Sequence, residues 1–148
     1  MRKTLWNTDS RKELMVRLDR LEPGAMPLWG KMSAPEMLAH LANWTKMADG
    51  TLSTVAWPGI LRVRPVRYLA IYWLPFPKGV PTAKELISRD PTGFAEELDT
   101  VRRGIESFGA RDPHKPFPEH PAFGFISPAT WGVLGYRHTD HHLRQFGV

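Results

Sequence analysis

Two histidines near the end of the chain are four residues apart, and this spacing suits metal binding. If the segment is helical, His138 and His142 lie on one face, about one turn from each other. The same face carries Trp131, so it is predicted to point into the core, with His141 at its margin. An i, i+4 histidine pair is a bidentate site for a divalent transition metal, although it leaves half of the coordination sphere empty.

His40 is the candidate for a third ligand. It lies in the middle of an earlier predicted helix, on an apolar face shared with Met37, Trp44 and Met47. An imidazole buried on that face needs a polar partner, because an unpaired buried polar group is costly, and a metal shared with the last helix would supply one. The alternative is a core histidine bonded to a neighbour, with the C-terminal histidines favoured only by the helix dipole.

The residue types also exclude chemistries. The 148-residue chain contains no cysteine, which excludes disulfides, thiolate metal sites and a cysteine nucleophile. A zinc-protease helix reads His-Glu-x-x-His, and here Thr139 occupies the place of the glutamate. Glu36, one turn before His40, is assigned to helix capping rather than to acid–base chemistry. His114 and His120 lie in a proline-rich loop and are predicted to be surface residues, with His120 able to gate the site.

The excess positive charge is concentrated in one segment. The chain has 20 Lys and Arg against 15 Asp and Glu, a net charge of +5, and no acidic residue lies between Asp49 and Glu85. That segment contains Arg62, Arg64, Arg67, Lys78 and Lys84. The first three could bind a small anionic substrate, or the segment could bind nucleic acid or a membrane surface. A solvated amphipathic face is the favoured interpretation, and no nucleic-acid or membrane partner is expected.

Caps and helix breakers predict an all-α chain. Long helices are predicted over 10–22, from the Ser33–Glu36 capping box to Gly50, over 92–108 and from Ser127 to Phe146. Between the second and third of these helices, 58–73 is predicted as a short or broken helix and 75–81 as a loop. Between the third and fourth, 111–126 is predicted to be irregular. The sequence therefore predicts one domain over 1–148, a four-helix bundle with a longer crossover in the middle. The lack of a secretory signal or a membrane-spanning apolar run predicts a cytoplasmic protein.

Four stretches carry a family resemblance: Trp29-Gly-Lys-Met32, Pro35-Glu-Met-Leu-Ala-His-Leu41, His120-Pro-Ala-Phe-Gly124 and His138-Thr-Asp-His-His-Leu-Arg-Gln-Phe-Gly147. Together they resemble an uncharacterised branch, of unknown function, of the DinB/YfiT-like superfamily of metal-dependent enzymes. The last stretch is the most specific, and the basic middle segment carries no recognised motif. The resemblance implies a four-helix bundle with a divalent metal, typically nickel or zinc, in a pocket at one end.

The resemblance also implies which residues bind the metal. The family's second-helix histidine corresponds to His40, and its His-x-x-x-His pair corresponds to His138 and His142, with His141 as the competing ligand. Water or substrate would complete the coordination sphere. Further residues lie beside a ligand or one helical step from one and are predicted to support it or to line the pocket: Asn43, Trp44, His141 and Gln145.

Characterised members of the superfamily include thiol-dependent transferases and an isomerase. The resemblance therefore implies a metal-dependent S-transferase or hydrolase, with a small-molecule substrate, a low-molecular-weight thiol as cosubstrate and a metal that lowers the pKa of that thiol. A homodimer is the expected assembly. The alternatives are a non-catalytic helical bundle with a structural or interaction role, and a basic module that binds nucleic acid or a membrane surface.

Overall fold

The computed structural model describes residues 2–79, 82–87 and 89–148, and within these ranges every regular element is helical. The elements are α1 (Thr8–Leu18), α2 (Ala34–Asp49), a 3-10 helix (Ile60–Arg62), α3 (Arg64–Tyr72), α4 (Lys84–Ile87), α5 (Phe94–Ala110) and α6 (Pro128–Gln145). The described residues contain no strand, and one isolated backbone bridge pairs His120 with Gly124. The prediction of an all-α chain is confirmed.

The two helices that carry the candidate ligands start where the sequence predicts. The Ser33 hydroxyl accepts the Glu36 N–H and the Glu36 carboxylate accepts the Ser33 N–H, which forms the capping box of α2. Helix α2 ends at Gly50, whose φ of 85° is in the left-handed region that favours glycine. The Ser127 hydroxyl accepts the Thr130 N–H and caps α6. Both helices therefore have defined starts.

Helix α1 is displaced from its predicted bounds. It begins at Thr8 rather than Ser10, because the Asn7 side chain accepts the Ser10 N–H at 2.8 Å and caps the helix one turn earlier. It ends at Leu18 rather than Glu22, because the backbone after Leu18 closes tighter turns that bond three residues back.

The middle of the chain is a broken helix, as predicted. The 3-10 helix ends at Arg62, and the extended backbone of Val63 separates it from α3. Pro65 lies in the first turn of α3, where its missing N–H costs nothing. Helix α4 was not predicted, because a single turn is too short to produce a periodic pattern. Residues 80 and 81, at the end of the predicted loop, lie outside the described residues.

Helix α5 also differs from its predicted bounds. It begins at Phe94 rather than Thr92, and it passes through Gly109, the predicted stop, to Ala110. A glycine can continue a helix whose apolar face is buried, because tertiary packing offsets the cost of about 1 kcal/mol relative to alanine.

Helix α2 is the central element of the packing. It makes its most extensive contact with α5 and further contacts with α4 and α6, while α1 packs against α5 and α6. Fully buried side chains from these helices form the core, including Leu14, Met37, Leu41, Val101, Ile105 and Leu143. In the described part of the chain, no helix combines the length and apolarity needed to cross a membrane.

Candidate metal centre

Three histidines converge between α2 and α6. His40 comes from the middle of α2, and His138 and His142 come from successive turns of α6. One ring nitrogen from each lies within 4.8 Å of the others. The Nε2 atoms of His40 and His138 are 2.9 Å apart, and the ring centres of the three residues are 4.8 to 4.9 Å apart. The side chains that the sequence predicts as ligands are thus neighbours, although His40 and His138 are 98 residues apart in the chain.

A glycine allows α6 to approach α2 at the level of this cluster. A Cβ on Gly135 would lie 2.4 Å from the Trp44 ring and 2.5 Å from the Leu5 side chain, closer than real Cβ contacts. The Trp44 ring in turn lies 5.8 Å from the ring of His138. The small residue on α6 therefore lets a large aromatic side chain of α2 pack beside the cluster.

The three imidazoles are neutral at physiological pH. His40 and His142 are only 2% and 7% exposed. Burial lowers the pKa of His40 to about 4, an effect that the Leu86 backbone partly opposes. Burial and the neighbouring His40 lower the pKa of His142 to about 3, and burial holds the pKa of His138 well below its ordinary value. A neutral imidazole has one nitrogen with a free lone pair, which is the form that binds metal.

Gln145 determines which nitrogen of His142 is free. Its side-chain NH2 donates to the Trp29 carbonyl at 2.7 Å, so its own carbonyl oxygen is directed at Nδ1 of His142, 2.9 Å away. The Nδ1 atom must therefore carry the proton, and Nε2 keeps its lone pair. Gly30 makes room for this contact: its φ is 81°, and a Cβ there would lie 2.7 Å from the Gln145 amide nitrogen.

The cluster has the chemistry of a metal site. Three imidazoles without a carboxylate or thiolate suit zinc, nickel, copper or iron. Two neutral Nε2 atoms at 2.9 Å can share only one hydrogen, and Nδ1 of His138 is buried without a hydrogen-bond partner, so the polar atoms of the cluster do not satisfy one another. If both rings carry their proton on Nδ1, both Nε2 atoms present lone pairs, and a cation between them would remove their repulsion. His40, His138 and His142 could hold a metal ion.

The other predicted supporting residues lie close by, with different partners. His141 is half-buried, and its ring lies 5.2 Å from that of His142 and 5.7 Å from that of Trp29, but none of its nitrogens belongs to the converging set. The buried amide of Asn43 donates to the Leu86 carbonyl and accepts from Arg89. Asn43 therefore connects α2 to the α4 region, whose Leu86 backbone acts on His40.

The three histidines form part of the wall of a cavity of about 390 Å³. The rest of the wall is mainly aromatic and aliphatic, and it includes Trp29, Trp57, Leu61, Leu74, Phe76 and Phe123. No lining residue in the described part of the chain is a lysine, arginine, aspartate or glutamate. The cavity is large enough for a small organic molecule and presents almost no fixed charge to it.

The three basic residues predicted to bind substrate lie outside this wall. Arg62 donates to the Pro121 carbonyl at 3.0 Å and pairs with Glu119, while Arg67 donates to the Phe123 carbonyl at 2.9 Å. Arg64 is exposed. Their binding of substrate stays a prediction, and in the structure Arg62 and Arg67 hold the loop at 119–124. Lys78, from the same basic segment, stacks its Nζ 4.3 Å from the ring centre of Trp29 in the cavity wall.

His120 is a cavity residue, so its prediction as a surface residue was wrong, whereas its ability to gate the site stays a prediction. Its ring lines the cavity and lies 5.2 Å from the ring of Trp131. Burial and the charge of Arg62 lower its pKa to about 3. The one local signal in the sequence is a glycine at 124, which permits a turn but does not fix where the histidine points; in the structure its φ is 70°, and the backbone of the two residues pairs in a tight turn. Such a turn can direct a loop histidine inward.

The fold and the site together define an all-helical protein with a three-histidine cluster at the wall of an uncharged cavity. The chain belongs to the DUF1569 family, described as a protein family of unknown function, whose model matches residues 2–147. No curated protein and no solved structure matches the chain.

Proposed function

We propose that the protein is a metal-dependent enzyme in which His40, His138 and His142 hold a divalent ion, nickel or zinc, with the remaining coordination positions open to the cavity. The observation that carries this proposal is the convergence of three buried, neutral imidazole nitrogens within 4.8 Å at the wall of a cavity of about 390 Å³. Structural metal sites are closed, whereas a site with three protein ligands beside a cavity has the form of a catalytic one.

The proposed reaction is a thiol-dependent S-transfer, or a hydrolysis, on a small molecule. When bound, the metal would lower the pKa of a thiol or water and supply a nucleophile near neutral pH. The protein contains no cysteine, so the thiol would be a low-molecular-weight cosubstrate. The sulfur of this cosubstrate would carry the negative charge in the site. The role of the protein residues is to hold the ligands, to fix the ring of His142 through Gln145 and to exclude water with apolar side chains.

The finer assignment of the fold belongs to the same proposal. Helices α1, α2, α5 and α6 are the long helices, and a crossover whose described residues include the 3-10 helix, α3 and α4 separates α2 from α5. We assign them to a four-helix bundle of the DinB/YfiT-like type, which the resemblance implies and to which this element order is suited. The proposed assembly is a homodimer, supported by exposed apolar side chains such as Leu69 and Trp73 on and beside α3.

A non-catalytic role is the second candidate function. The observation in its favour is that the described cavity lining contains no carboxylate or lysine to act as a general base. In that case the helical protein would keep its metal as a structural element or as part of an interaction site.

Metal analysis of untagged protein tests the proposal. We expect close to one equivalent of a divalent metal in the wild type, after loading with zinc or nickel, and a loss of most of it in His40→Ala and His142→Ala. His114→Ala is the matched control, because His114 is an exposed loop histidine and its loss should leave the metal content unchanged. Full metal content in both ligand variants would overturn the assignment. Thiol consumption with a panel of electrophiles then separates an enzyme from the non-catalytic alternative.

A further inference from the structure

His120 is fixed in one tautomer by the turn in which it lies. Its Nδ1 accepts the backbone N–H of Ala122 at 3.2 Å and that of Phe123 at 3.3 Å. A nitrogen that accepts hydrogen bonds carries a lone pair and no proton. In the neutral ring the proton is therefore on Nε2, which makes this atom a hydrogen-bond donor.

The turn that orients His120 is held by several contacts. The backbone N–H of His120 donates to the Gly124 carbonyl at 3.0 Å, and the reverse bond is 2.8 Å long. The Pro121 carbonyl accepts from both the Trp57 N–H and Arg62, and the Phe123 carbonyl accepts from Arg67. The imidazole is thus held on a braced backbone, which is the condition for a preorganised binding group.

The donor of His120 has no partner within the described part of the protein. Every described hydrogen bond of the side chain is made by Nδ1, so Nε2 has no described partner. The Nε2 atom is also not one of the fully buried unpartnered atoms of the described residues, so part of its surface is accessible. The ring lines the same cavity as His40, His138 and His142. The rest of the wall is mainly apolar, with Thr82, His141 and Gln145 as its other polar side chains outside the three-histidine cluster, so an N–H fixed in direction there is a recognition point for a ligand.

We propose that the cavity binds an uncharged molecule with an apolar, preferably aromatic, body and a carbonyl-type oxygen that accepts the Nε2–H of His120. The apolar wall would bury the body, and in the metal-free cavity an ionised ligand would be disfavoured, because no charged side chain among the described lining residues offsets its desolvation. The inference names the substrate class of the proposed metal enzyme. Binding of this ligand does not require the metal, because the cavity and the Nε2–H of His120 belong to the protein. Only the orientation of the substrate toward the metal depends on the proposed enzyme function.

A pair of nearly isosteric probes tests the inference in metal-free protein. Acetophenone has the carbonyl oxygen, and ethylbenzene has a methylene group in its place. Binding is measured by calorimetry and by the fluorescence of the lining residues Trp29 and Trp57. We expect both probes to bind the wild type, and we expect benzoate, the ionised analogue, to bind about ten-fold more weakly than acetophenone. Failure of both neutral probes to bind, or tighter binding of benzoate, would overturn the ligand class.

The variant His120→Asn isolates the donor. The asparagine oxygen can replace Nδ1 as the acceptor in the turn, but the side chain is too short to replace Nε2. We expect the affinity for acetophenone to fall about five-fold, the net worth of one hydrogen bond, while the affinity for ethylbenzene stays the same. His114→Asn is the control on the exposed part of the proline-rich loop. Equal changes for both probes would mean that His120 supports the cavity only as a structural residue, and the proposed donor role would be wrong.

Two readouts keep the inference separate from the proposed function and from any folding defect. Two-bond proton–nitrogen NMR on the wild type should show His120 as the Nε2–H tautomer, and a shift of its Nε2 signal on adding acetophenone; the Nδ1–H tautomer would overturn the inference without any variant. Metal content in His120→Asn should equal that of the wild type. A protein that binds acetophenone but no metal would refute the metal enzyme alone, and a protein that binds metal but neither neutral probe would refute the ligand class alone.

Discussion

At the scale of the residue, the orientation of an imidazole matters as much as its presence. His142 is useful as a ligand only if Nε2 keeps its lone pair, and Gln145 ensures this by accepting a hydrogen bond from the Nδ1–H. We expect Gln145→Leu, which has no acceptor, to weaken zinc binding about ten- to hundred-fold, the usual cost of losing a partner of a metal-binding histidine. Competition with a chromogenic chelator measures the dissociation constant.

Gln145→Glu is the matched variant. A carboxylate can also accept a hydrogen bond from the Nδ1–H of His142, but it cannot donate to the Trp29 carbonyl. We therefore expect zinc affinity in this variant to stay near or above that of the wild type, while thermal stability decreases. Equal losses of affinity in both variants would indicate that the bond to Trp29, rather than the bond to His142, is what the site requires.

The sequence predicts the site residues that lie on helices, where periodicity applies, but it misses those that lie in loops. His138 and His142 share a face by spacing, and His40 lies on an apolar face, so their convergence could be predicted. His120 could not, because a proline-rich loop has no period and the direction of its side chains depends on tertiary hydrogen bonds. The partners of Asn43 were also beyond prediction, since they come from the α4 region.

At the scale of the element, the close approach of α6 to α2 depends on a glycine, Gly135, which has no side chain. We expect Gly135→Ala to destabilise the protein by about 1–3 kcal/mol, because the new Cβ would overlap Trp44 and Leu5, and this cost exceeds the gain of about 1 kcal/mol in helix propensity. Since Trp44 packs beside His138, zinc affinity should decrease as well. Chemical denaturation and metal titration measure the two effects.

Gly24→Ala is the control for the packing argument. A Cβ at Gly24 would meet no atom within 4 Å, so unfolding should change by less than about 0.5 kcal/mol. If Gly135→Ala proved as stable as the wild type, the close approach of α6 to Trp44 would not be a feature of the protein in solution.

The basic segment acts on the loop at 119–124 through two of its arginines. Arg67 donates to the Phe123 carbonyl, and its removal leaves that carbonyl without its charged donor. We expect Arg67→Met to increase hydrogen exchange of the Gly124 amide, which donates to the His120 carbonyl, by at least about ten-fold, since a hydrogen bond to a charged group contributes about 1.5–3 kcal/mol. Hydrogen-exchange NMR reads this amide directly.

Arg64→Met is the matched variant for this segment, because it removes the same charge from an exposed position. Its effect on the Gly124 amide should be small. If the two variants accelerated exchange equally, net charge would explain the result and the bracing contact would not. The sequence alone could place these arginines in an amphipathic segment, but it could not distinguish the one that braces a loop from the one that faces solvent.

At the scale of the whole molecule, local signals predict the helices better than their boundaries. Caps and proline positions predict α2 and α6 closely, because these signals involve neighbouring residues only. The sequence misses α4, which is a single turn without a periodic pattern, and the end of α5, where the helix continues through a glycine that packs against Arg11 of α1. The cavity is the extreme case, since its wall combines residues from 29 to 145 and no local pattern describes it.

Burial of the histidines makes the stability of the whole metal-free protein depend on pH. The folded-state pKa is about 4 for His40 and about 3 for His142 and His120, against 6.5 in the unfolded chain. Between these values the unfolded chain binds protons that the folded protein does not, so stability is fully present above about pH 6.5 and decreases as the pH falls. Each such histidine contributes a slope of about 1.4 kcal/mol per pH unit.

Denaturation of metal-free protein between pH 7 and pH 5 tests this expectation, with His142→Gln and His114→Gln beside the wild type. The glutamine at 142 does not titrate, so the slope of that variant should be smaller by about 1.4 kcal/mol per pH unit, whatever its absolute stability. The slope for the exposed position 114 should equal that of the wild type. A wild-type slope near zero would mean that the buried histidines take up protons in the folded state, and such a cluster would repel a cation and could not bind metal in this range.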